Sequence, residues 1–401
     1  MADAEQFQYE GLFAKTTPGA RDRAVVRRGK YDFAVAYPDP ASLPLDELMA
    51  ALEGALRDEG KDLAVYPHPS GYPPLREFVA GKLARDRGIQ VSADDIILAD
   101  GSNQPIHMLL EVLLDPGDVV LTEEFVYSGT LNTLRRFQAD IRGVACDEDG
   151  IVPKALEGAI KTAAAQGKRP KFIYTIPSFQ NPQGWTMTLE RRQALVRLSQ
   201  SYDVPILEDD CYVDLRYDGE PVTSIHSLDE TGRVMYVASF SKNIAPGMRM
   251  GYVTAPPEVL DRVAAVKSGS GVNQFAALAV HRYSTSNLED HIGDIRHILR
   301  AKRDAMLAAL GENFGSAATW SRPEGGLYVW LRMPEGVDLA SVREKALEAG
   351  VGYQAGNLYA PDGVSGKNYA RLCFGYNTPE EIHEGIALLA RVFEDEGILK
   401  S

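Results

Sequence analysis

Lys242 stands where a lysine can do covalent chemistry, directly after a short apolar run. That run, residues 234–238, leads through Ser239 and Ser241 into the lysine, and Arg249 follows soon after. A lysine at the end of a buried strand can have a lowered pKa and act as a nucleophilic amine that forms Schiff bases. The two serines and the arginine add donors suited to a phosphate group. The alternative, a surface lysine near an arginine, is disfavoured by the apolar run.

An acidic group follows a second apolar run. Residues 204–207 are apolar and lead directly into Glu208, Asp209 and Asp210. A carboxylate behind an apolar strand is costly to desolvate unless it meets a cation or a hydrogen-bond donor. Two partners are chemically suitable. One is a protonated heterocyclic nitrogen, and the other is Mg²⁺, which phosphoryl-transfer enzymes hold with strand-end aspartates and a distant lysine.

Two further polar loops follow apolar runs. The sequence DGSNQ at 100–104 leads into a helical segment, whose free N–H groups and dipole favour an anion. A helix N-cap with a tight turn is the alternative for this loop. In PSFQNPQG at 177–184, Asn181 stands before a proline, and its amide suits a ligand oxygen. A proline-rich turn is the alternative there.

The apolar runs before these loops predict one sheet. Most are continuously apolar, which is typical of strands covered on both faces, and helical segments at 106–114 and 191–203 lie between them. Ligands of open α/β sheets bind beyond the carboxyl ends of the strands, so the four loops are expected to share one site. The seven predicted strands are 96–99, 119–122, 141–145, 172–176, 204–207, 234–238 and 251–254.

The flanking segments complete an α/β fold with a seven-stranded, mainly parallel sheet sandwiched by helices and a smaller α+β domain. Helical spacing predicts one helix from Leu45 that stops at Gly60, and another over 288–310 that Gly311 ends. Strands at 326–331 and 370–374 and a last helix at 380–393 follow. We expect an N-terminal arm at 1–45 that joins the small domain. Residues 46–285 then form the large domain, and 286–401 form an interdomain helix and the small domain.

Composition excludes several classes of function. The 401 residues contain 42 Lys and Arg against 56 Asp and Glu, a net charge of −14 that disfavours nucleic-acid binding. No run approaches the ~20 apolar residues of a membrane helix, and the first residues lack a signal-peptide pattern, so we expect a cytoplasmic protein. The three cysteines form no C-x-x-C motif, which indicates reduced thiols and no zinc framework. We expect no metal.

The four loops together require one ligand. It must offer a phosphate, an aromatic ring with an acceptor oxygen, a basic ring nitrogen, and an aldehyde for the lysine. Pyridoxal 5'-phosphate (PLP) has all four. A Mg²⁺ site would account for Asp209 and Lys242, but it would leave the Asn181 loop and the serine and arginine cluster without a task.

The motifs in order resemble those of fold type I PLP-dependent aminotransferases of class I/II. The resemblance is to the group that includes 2-aminoadipate-type aminotransferases and the aminotransferase-like part of MocR regulators. It runs from about Phe33 to the C-terminus. It rests on Tyr66 with Ser70-Gly71-Tyr72-Pro73-Pro74-Leu75-Arg76, Gly101-Ser102-Asn103-Gln104, Gln180-Asn181-Pro182-Gln183-Gly184, Glu208-Asp209-Asp210-Cys211-Tyr212, Ser239-Phe240-Ser241-Lys242 with Arg249, and Arg371-Leu372-Cys373-Phe374.

This resemblance implies roles around the cofactor ring. Lys242 would form the Schiff base and move the proton during amino transfer. Asp209 would pair with the pyridine nitrogen and keep it protonated. Asn181 and Tyr212 would bond the ring hydroxyl oxygen. Tyr127 lies where the family places the ring that stacks on the cofactor, although the usual proline nearby is missing. The catalytic residues would thus be Lys242, Asp209 and Tyr127.

The resemblance also implies how phosphate and substrate are held. Arg371 would clamp the α-carboxylate of the substrate, and Asn181 and Tyr37 would join it in binding substrate. Tyr66 would reach the phosphate from a neighbouring subunit, which implies a homodimer with shared active sites. The remaining phosphate-binding residues would be Ser102, Asn103, Ser239, Ser241 and Arg249.

Three departures from the family pattern fall where substrate is recognised. Residues 35–38 read Val-Ala-Tyr-Pro in place of a glycine pair, Gln183 replaces a threonine and is followed by Trp185, and 271–274 read Gly-Val-Asn-Gln in place of a Thr/Ser cluster. A polar or bulky substrate side chain would suit the residues Tyr37, Trp185, Asn273 and Gln274. A basic substrate near Glu123, Glu124 and His68 is the alternative.

The implied activity is transfer of an amino group from an L-amino acid to a 2-oxo acid. The same residues would also serve PLP-dependent elimination, replacement or carbon–carbon bond formation in a biosynthetic pathway. A ligand-sensing regulator of the MocR type is disfavoured because no winged-helix segment is present and the charge is negative. A Mg²⁺-dependent phosphoryl-transfer enzyme is a fourth and weaker hypothesis.

Overall fold

The computed structural model describes residues 7–14, 16–17, 19–20, 27–269 and 271–399. The strands are β1 (Tyr31–Asp32), β2 (Ile97–Ala99), β3 (Val119–Glu123), β4 (Asp140–Val144), β5 (Cys146–Asp147), β6 (Gly150–Ile151), β7 (Phe172–Thr175), β8 (Ile206–Asp209), β9 (Val234–Ser239), β10 (Gly251–Thr254), β11 (Thr319–Trp320), β12 (Tyr328–Arg332), β13 (Val351–Gly352), β14 (Gln354–Ala355) and β15 (Tyr369–Cys373). The α-helices are α1 (Leu45–Glu59), α2 (Pro73–Arg87), α3 (Asn103–Leu113), α4 (Ser128–Arg136), α5 (Pro153–Ala165), α6 (Leu189–Tyr202), α7 (Ile225–Leu228), α8 (Pro257–Val266), α9 (Gln274–Phe314), α10 (Leu339–Ala349) and α11 (Pro379–Asp395).

The large sheet has seven strands in the order β2-β10-β9-β8-β7-β3-β4. Strand β10 is antiparallel to both of its neighbours, and the other pairs are parallel. The expected seven-stranded, mainly parallel sheet is therefore confirmed. Because β10 is the reversed strand, the loops after β2, β7, β8 and β9 all leave the sheet at the same edge.

Helices cover both faces of this sheet, as the continuously apolar strands predict. Phe172 and Tyr174 of β7 pack in an apolar cluster with residues of α3 and α4. Ile173, between them, packs in a different cluster with residues of α5 and α6. Alternate residues of one strand thus enter opposite cores, and both faces are excluded from water.

A second sheet has four antiparallel strands in the order β11-β12-β15-β14. The segment that enters from the N-terminal side pairs with this part of the chain, because β1 runs parallel to β13. The domain boundaries expected at 45/46 and 285/286 stay a prediction. The second of them lies inside helix α9.

Helix α9 corrects the sequence-based prediction at both ends. It begins at Gln274 instead of Leu288 and continues through Gly311 to Phe314. The N-terminal turns were missed because Ala277, Leu278, Ala279 and Val280 are all buried, so they show no one-sided apolar periodicity. The helix ends only where Gly315 adopts a φ of +50°.

The described residues contain neither a membrane-spanning helix nor a cluster of metal ligands. No helix there is long and apolar enough to cross a membrane. No group of three or more His, Cys, Asp or Glu in the same residues is arranged to hold a metal ion. The cytoplasmic location stays a prediction.

Candidate active site

The loops at the common sheet edge surround one cavity of about 360 Å³. The large sheet contributes the ends of β2, β7, β8 and β9, and the four-stranded sheet contributes β12 and β15. The predicted site residues that line this cavity are Tyr37, Ser102, Asn103, Tyr127, Asn181, Asp209, Tyr212, Ser239, Ser241, Lys242, Arg249 and Arg371. Their roles stay predictions, but the structure brings all of them together.

Tyr66 is the predicted site residue that lies elsewhere. Its side chain is 88% exposed, and it does not line the cavity. Within a single copy of the described chain, it is therefore not part of this site.

Lys242 reaches across the cavity to the segment that follows β1. Its Nζ donates a hydrogen bond to the Ala36 carbonyl oxygen at 2.6 Å. Burial lowers the pKa of Lys242, and the nearby Arg371 and Arg249 add to this effect. A lowered pKa increases the fraction of neutral amine, which is the form that attacks a carbonyl carbon.

Asp209 ends β8 as a buried carboxylate that is 4% exposed. Its Oδ2 accepts a hydrogen bond from the Tyr174 hydroxyl at 2.7 Å, and Tyr174 in turn accepts one from Thr130. Its Oδ1 is buried without a hydrogen-bond partner among the described residues. Burial raises the pKa of Asp209, and the nearby Cys211 thiol and N–H and the bond from Tyr174 oppose this shift. A cationic donor such as a protonated ring nitrogen would satisfy the free oxygen.

Asn181 connects three other residues of the cavity. Its Nδ2 donates to the hydroxyls of Tyr212 at 3.1 Å and Tyr328 at 3.3 Å. Its Oδ1 accepts from Arg371 Nη1 at 3.1 Å. Tyr328 was missed in the sequence, where it reads as one residue of a buried strand. Its contacts join segments that are 116 residues apart, so no local pattern could have revealed them.

The loop that carries Asn181 is fixed from behind by Arg192 of α6. Arg192 is fully buried and donates to the carbonyls of Pro177 at 2.8 Å and Met187 at 3.0 Å, one on each side of Asn181. It also donates to the Thr223 carbonyl and the Ser178 hydroxyl. Because Pro177, Ser178 and Met187 are spread along this loop, one guanidinium sets its shape.

Glu123 supports the same loop and does not reach a substrate. It is fully buried at the end of β3 and accepts from Thr175 Oγ1 at 2.6 Å, the Ile176 N–H at 2.8 Å and Gln180 Nε2 at 3.1 Å. Burial raises the pKa of Glu123 to about 7. Glu123 does not line the cavity, so the alternative of a basic substrate beside this residue has no support from the structure.

The other residues considered for the substrate pocket do not line the cavity of a single chain, and their roles stay predictions. The cavity lining does not include Glu124, His68, Trp185, Asn273 or Gln274. Asn273 instead caps α9 by accepting from the Ala276 N–H. Trp185 lies in a separate cavity beside Trp320 and Trp330. Of the three motif departures, the one at 35–38 lines the cavity through Val35, Ala36 and Tyr37, whereas Trp185 and Asn273 lie outside its lining.

One end of the cavity is rich in hydroxyl and N–H donors. Ser239 Oγ and Ser241 Oγ are 2.8 Å apart, and Arg249 Nη2 donates to the Asp100 carbonyl oxygen at 2.8 Å. Ser102 precedes α3 but makes no side-chain capping bond, so the N-cap alternative for this hydroxyl is not supported. Gly101 has a φ of +69°, and a Cβ there would lie 2.5 Å from Arg249 Nη2. The close approach of these donors suits a phosphate group.

Arg371 lies at the other end, on β15, and is 5% exposed. Its guanidinium lies over the rings of Tyr328 at 4.7 Å and Tyr359 at 5.2 Å. It donates to the Ala34 carbonyl and to Asn181, and no carboxylate pairs with it in the described part of the chain. A buried guanidinium without an acidic partner is suited to bind a ligand carboxylate.

The comparisons with known proteins agree with this geometry. The family of class I and II aminotransferases matches residues 34–389, so the chain belongs to that family. Aromatic-amino-acid aminotransferase 1 of Thermococcus litoralis is 33% identical over 98% of this chain and 97% of its own length. The solved kynurenine aminotransferase of Pyrococcus horikoshii, in complex with PMP, is 34% identical, with a TM-score of 0.87 over 92% of this chain and 91% of that chain. The multiple substrate aminotransferase of Thermococcus profundus is 30% identical, with a TM-score of 0.91 over 98% and 99% of the two chains.

The protein is therefore a PLP-dependent aminotransferase of fold type I, and its substrates are amino acids and 2-oxo acids. The expected fold, cofactor and activity are confirmed. The comparisons do not favour elimination, replacement or carbon–carbon bond formation. The residues fit the cofactor, because Asp209 offers a buried free oxygen, and Ser239, Ser241 and the Arg249 guanidinium, which crowds Gly101, line the same cavity.

Proposed function

We propose that Lys242 is the covalent attachment point of PLP and the residue that moves the substrate proton. When bound, PLP supplies an electron-withdrawing ring and the carbonyl carbon that receives the amino group. Lys242 Nζ would take the proton from the substrate Cα and pass it to the cofactor carbon that carries the transferred amine, and the second half of the cycle would run the same transfer in reverse. Its lowered pKa supports this role, since the amine must be neutral to accept a proton. The Ala36 carbonyl, 2.6 Å away, orients the free amine.

The other cavity residues hold the cofactor at three places. Asp209 keeps the ring nitrogen protonated by offering its free Oδ1. Asn181 and Tyr212 bond the ring hydroxyl oxygen, and Tyr127 stacks on the ring. Gly129 leaves room for that aromatic side chain, since a Cβ there would lie 2.5 Å from the Tyr127 ring. The phosphate is held by Ser102, the Asn103 backbone, Ser239, Ser241 and Arg249.

Arg371 binds the α-carboxylate of the substrate, and this assignment rests on one observation. It is a buried guanidinium that lines the cavity and lacks an acidic partner among the described residues. The hydrogen bond that Arg371 donates to Asn181 and the two tyrosine rings fix the plane of the guanidinium, so it can offer two parallel N–H donors to a carboxylate. Fixing the carboxylate fixes the Cα–H bond relative to the cofactor ring and to Lys242.

The preferred amino donor has a large uncharged side chain, with aromatic amino acids as the first class to test. The described cations that line the cavity are Lys242, Arg249 and Arg371, and each already has a task. The wall that remains includes Tyr37, Tyr359 and Gln354, which offer aromatic surface and one amide. Relatives named for aromatic amino acids and kynurenine support the same class.

The test is the visible absorption spectrum of the purified holoenzyme. Single L-amino acids are added without an acceptor, and Lys242→Ala is the control. We expect phenylalanine, tyrosine or kynurenine to convert the PLP band to the pyridoxamine form, and a 2-oxo acid to restore it. Equal turnover of small aliphatic amino acids, or faster turnover of 2-aminoadipate, would contradict the proposed donor class. The same spectra would still show whether transamination occurs.

The active form is a homodimer in which Tyr66 of a second copy reaches the phosphate. Its 88% exposure in one chain, next to Val65, which is 68% exposed, supports this arrangement. The test is a hybrid dimer of Tyr66→Ala and Lys242→Ala subunits. If Tyr66 acts across the interface, one site of each hybrid is intact and activity appears, although each parent dimer has little. If Tyr66 acts within its own subunit, the hybrid has no intact site and stays inactive.

A further inference from the structure

Tyr328 contacts three residues of the proposed site, and none of the roles proposed above includes it. It lies at the start of β12, is fully buried and lines the cavity. Its hydroxyl oxygen is 2.8 Å from that of Tyr212, and it accepts a hydrogen bond from Asn181 at 3.3 Å. Its ring lies 4.7 Å from the Arg371 guanidinium.

Proton counting gives this contact a direction. Each tyrosine hydroxyl has one proton to donate. The two Nδ2 protons of Asn181 are directed to these two oxygens, so Asn181 would redirect one of them to bond the cofactor ring oxygen. The Tyr328 hydroxyl has one available acceptor among the described residues, the oxygen of Tyr212. A buried hydroxyl that does not donate costs about 1–3 kcal/mol, so Tyr328 donates to Tyr212.

The direction of this bond leaves the proton of Tyr212 free. With its oxygen accepting from Asn181 and Tyr328, Tyr212 can donate only into the cavity. Burial raises the pKa of both tyrosines well above the ordinary value, so both keep their protons. A hydroxyl that accepts hydrogen bonds is also a stronger donor, because the chain of bonds is polarised.

We propose that Tyr328 is a positioning residue that directs the Tyr212 hydroxyl, as a donor, toward the cofactor ring oxygen. This inference rests on the proposed role of Tyr212. A stronger donor stabilises negative charge on the ring oxygen of the bound cofactor. The nitrogen that joins Lys242 to the cofactor would then lose its proton at a lower pH. Tyr328 thereby sets the pH at which the absorption band of the holoenzyme changes.

The test is the pH midpoint of that band in four holoenzymes without substrate. They are the wild type, Tyr328→Phe, Tyr212→Phe and the double variant. Tyr328→Phe keeps the ring beside Arg371 and removes only the hydroxyl. We expect its midpoint to rise by roughly 0.3 to 1 pH unit, less than in Tyr212→Phe. In the Tyr212→Phe background the second substitution should add no shift, because the residue through which Tyr328 acts is gone.

A matched control is Tyr359→Phe, measured in the same way. Tyr359 also lines the cavity and also packs on Arg371, but it makes no bond to Tyr212. Its variant should leave the midpoint unchanged. An unchanged midpoint in Tyr328→Phe, or the same shift with and without Tyr212, overturns the inference. An unchanged midpoint in Tyr212→Phe would instead reject the proposed role of Tyr212 itself, so the two failures are distinguishable.

Discussion

Replacing Arg371 by alanine should impair amino acid substrates through one identifiable interaction. Two charge-assisted hydrogen bonds to a carboxylate contribute ~1.5 to 3 kcal/mol each, so their loss costs ~3 to 6 kcal/mol. We therefore expect kcat/KM for an L-amino acid to fall by roughly 100-fold to 10,000-fold. The kcat/KM of Arg371→Lys should lie between those of the wild type and Arg371→Ala, because lysine keeps the charge but offers no paired donors.

The assay follows the disappearance of the PLP band after rapid mixing of holoenzyme with phenylalanine. The control substrate is 2-phenylethylamine, which has the same side chain and amine but no carboxylate. For this amine, wild type and Arg371→Ala should differ by less than about 5-fold, since the arginine has nothing to bind. Cofactor affinity is measured separately by dialysis and should change little.

Two results would contradict the role of Arg371 in binding the substrate carboxylate. If Arg371→Ala reacts with phenylalanine as fast as wild type does, the carboxylate is bound elsewhere. If the variant loses the same factor with phenylalanine and with the amine, the arginine acts by supporting the cavity. In that case its contacts with Tyr328, Tyr359 and Asn181 would account for the whole effect.

Three further predictions concern the residues that support the site. Arg192→Lys should lower the free energy of unfolding by about 3 to 5 kcal/mol in urea denaturation, since one ammonium cannot replace a buried guanidinium with four acceptors; a change below about 1 kcal/mol would contradict this. Burial raises the pKa of Glu123 from 4.5 to about 7, so the folded chain keeps a proton that the unfolded chain releases, and stability falls as the pH rises through this window. Between pH 5 and pH 8, Glu123→Gln should lose roughly 2 to 3 kcal/mol less than wild type does, and equal losses would exclude this titration. Gly101→Ala should weaken PLP binding about 10-fold or more in a dialysis titration, because the Cβ would press on Arg249 and a φ of +69° is strained for alanine; unchanged affinity would place the phosphate elsewhere.

The position of the strand-end motifs could be predicted because it depends on residues that are neighbours in the sequence. A buried parallel strand is continuously apolar, and the polar residues just after it must lie at the sheet edge. Lys242, Asp209 and Asn181 each follow such a strand, and all three line the cavity. The residues that line the substrate part of the cavity could not be predicted in this way. Trp185 follows the Asn181 motif closely in sequence, yet it lines a different cavity.

The order of residues along single segments is sufficient to predict the sheet, the cofactor loops and the class of chemistry. Which side chains contact the residues of these loops depends on how distant segments pack together. The bonds of Tyr174 to Asp209 and of Tyr328 to Tyr212 join residues that are 35 and 116 positions apart. Among the described residues, Arg371 is surrounded by two rings, an amide and a carbonyl and has no acidic partner, and this follows from packing between distant segments. Burial and pairing of charge are properties of the packed chain, and they are what turn the motifs into an active site.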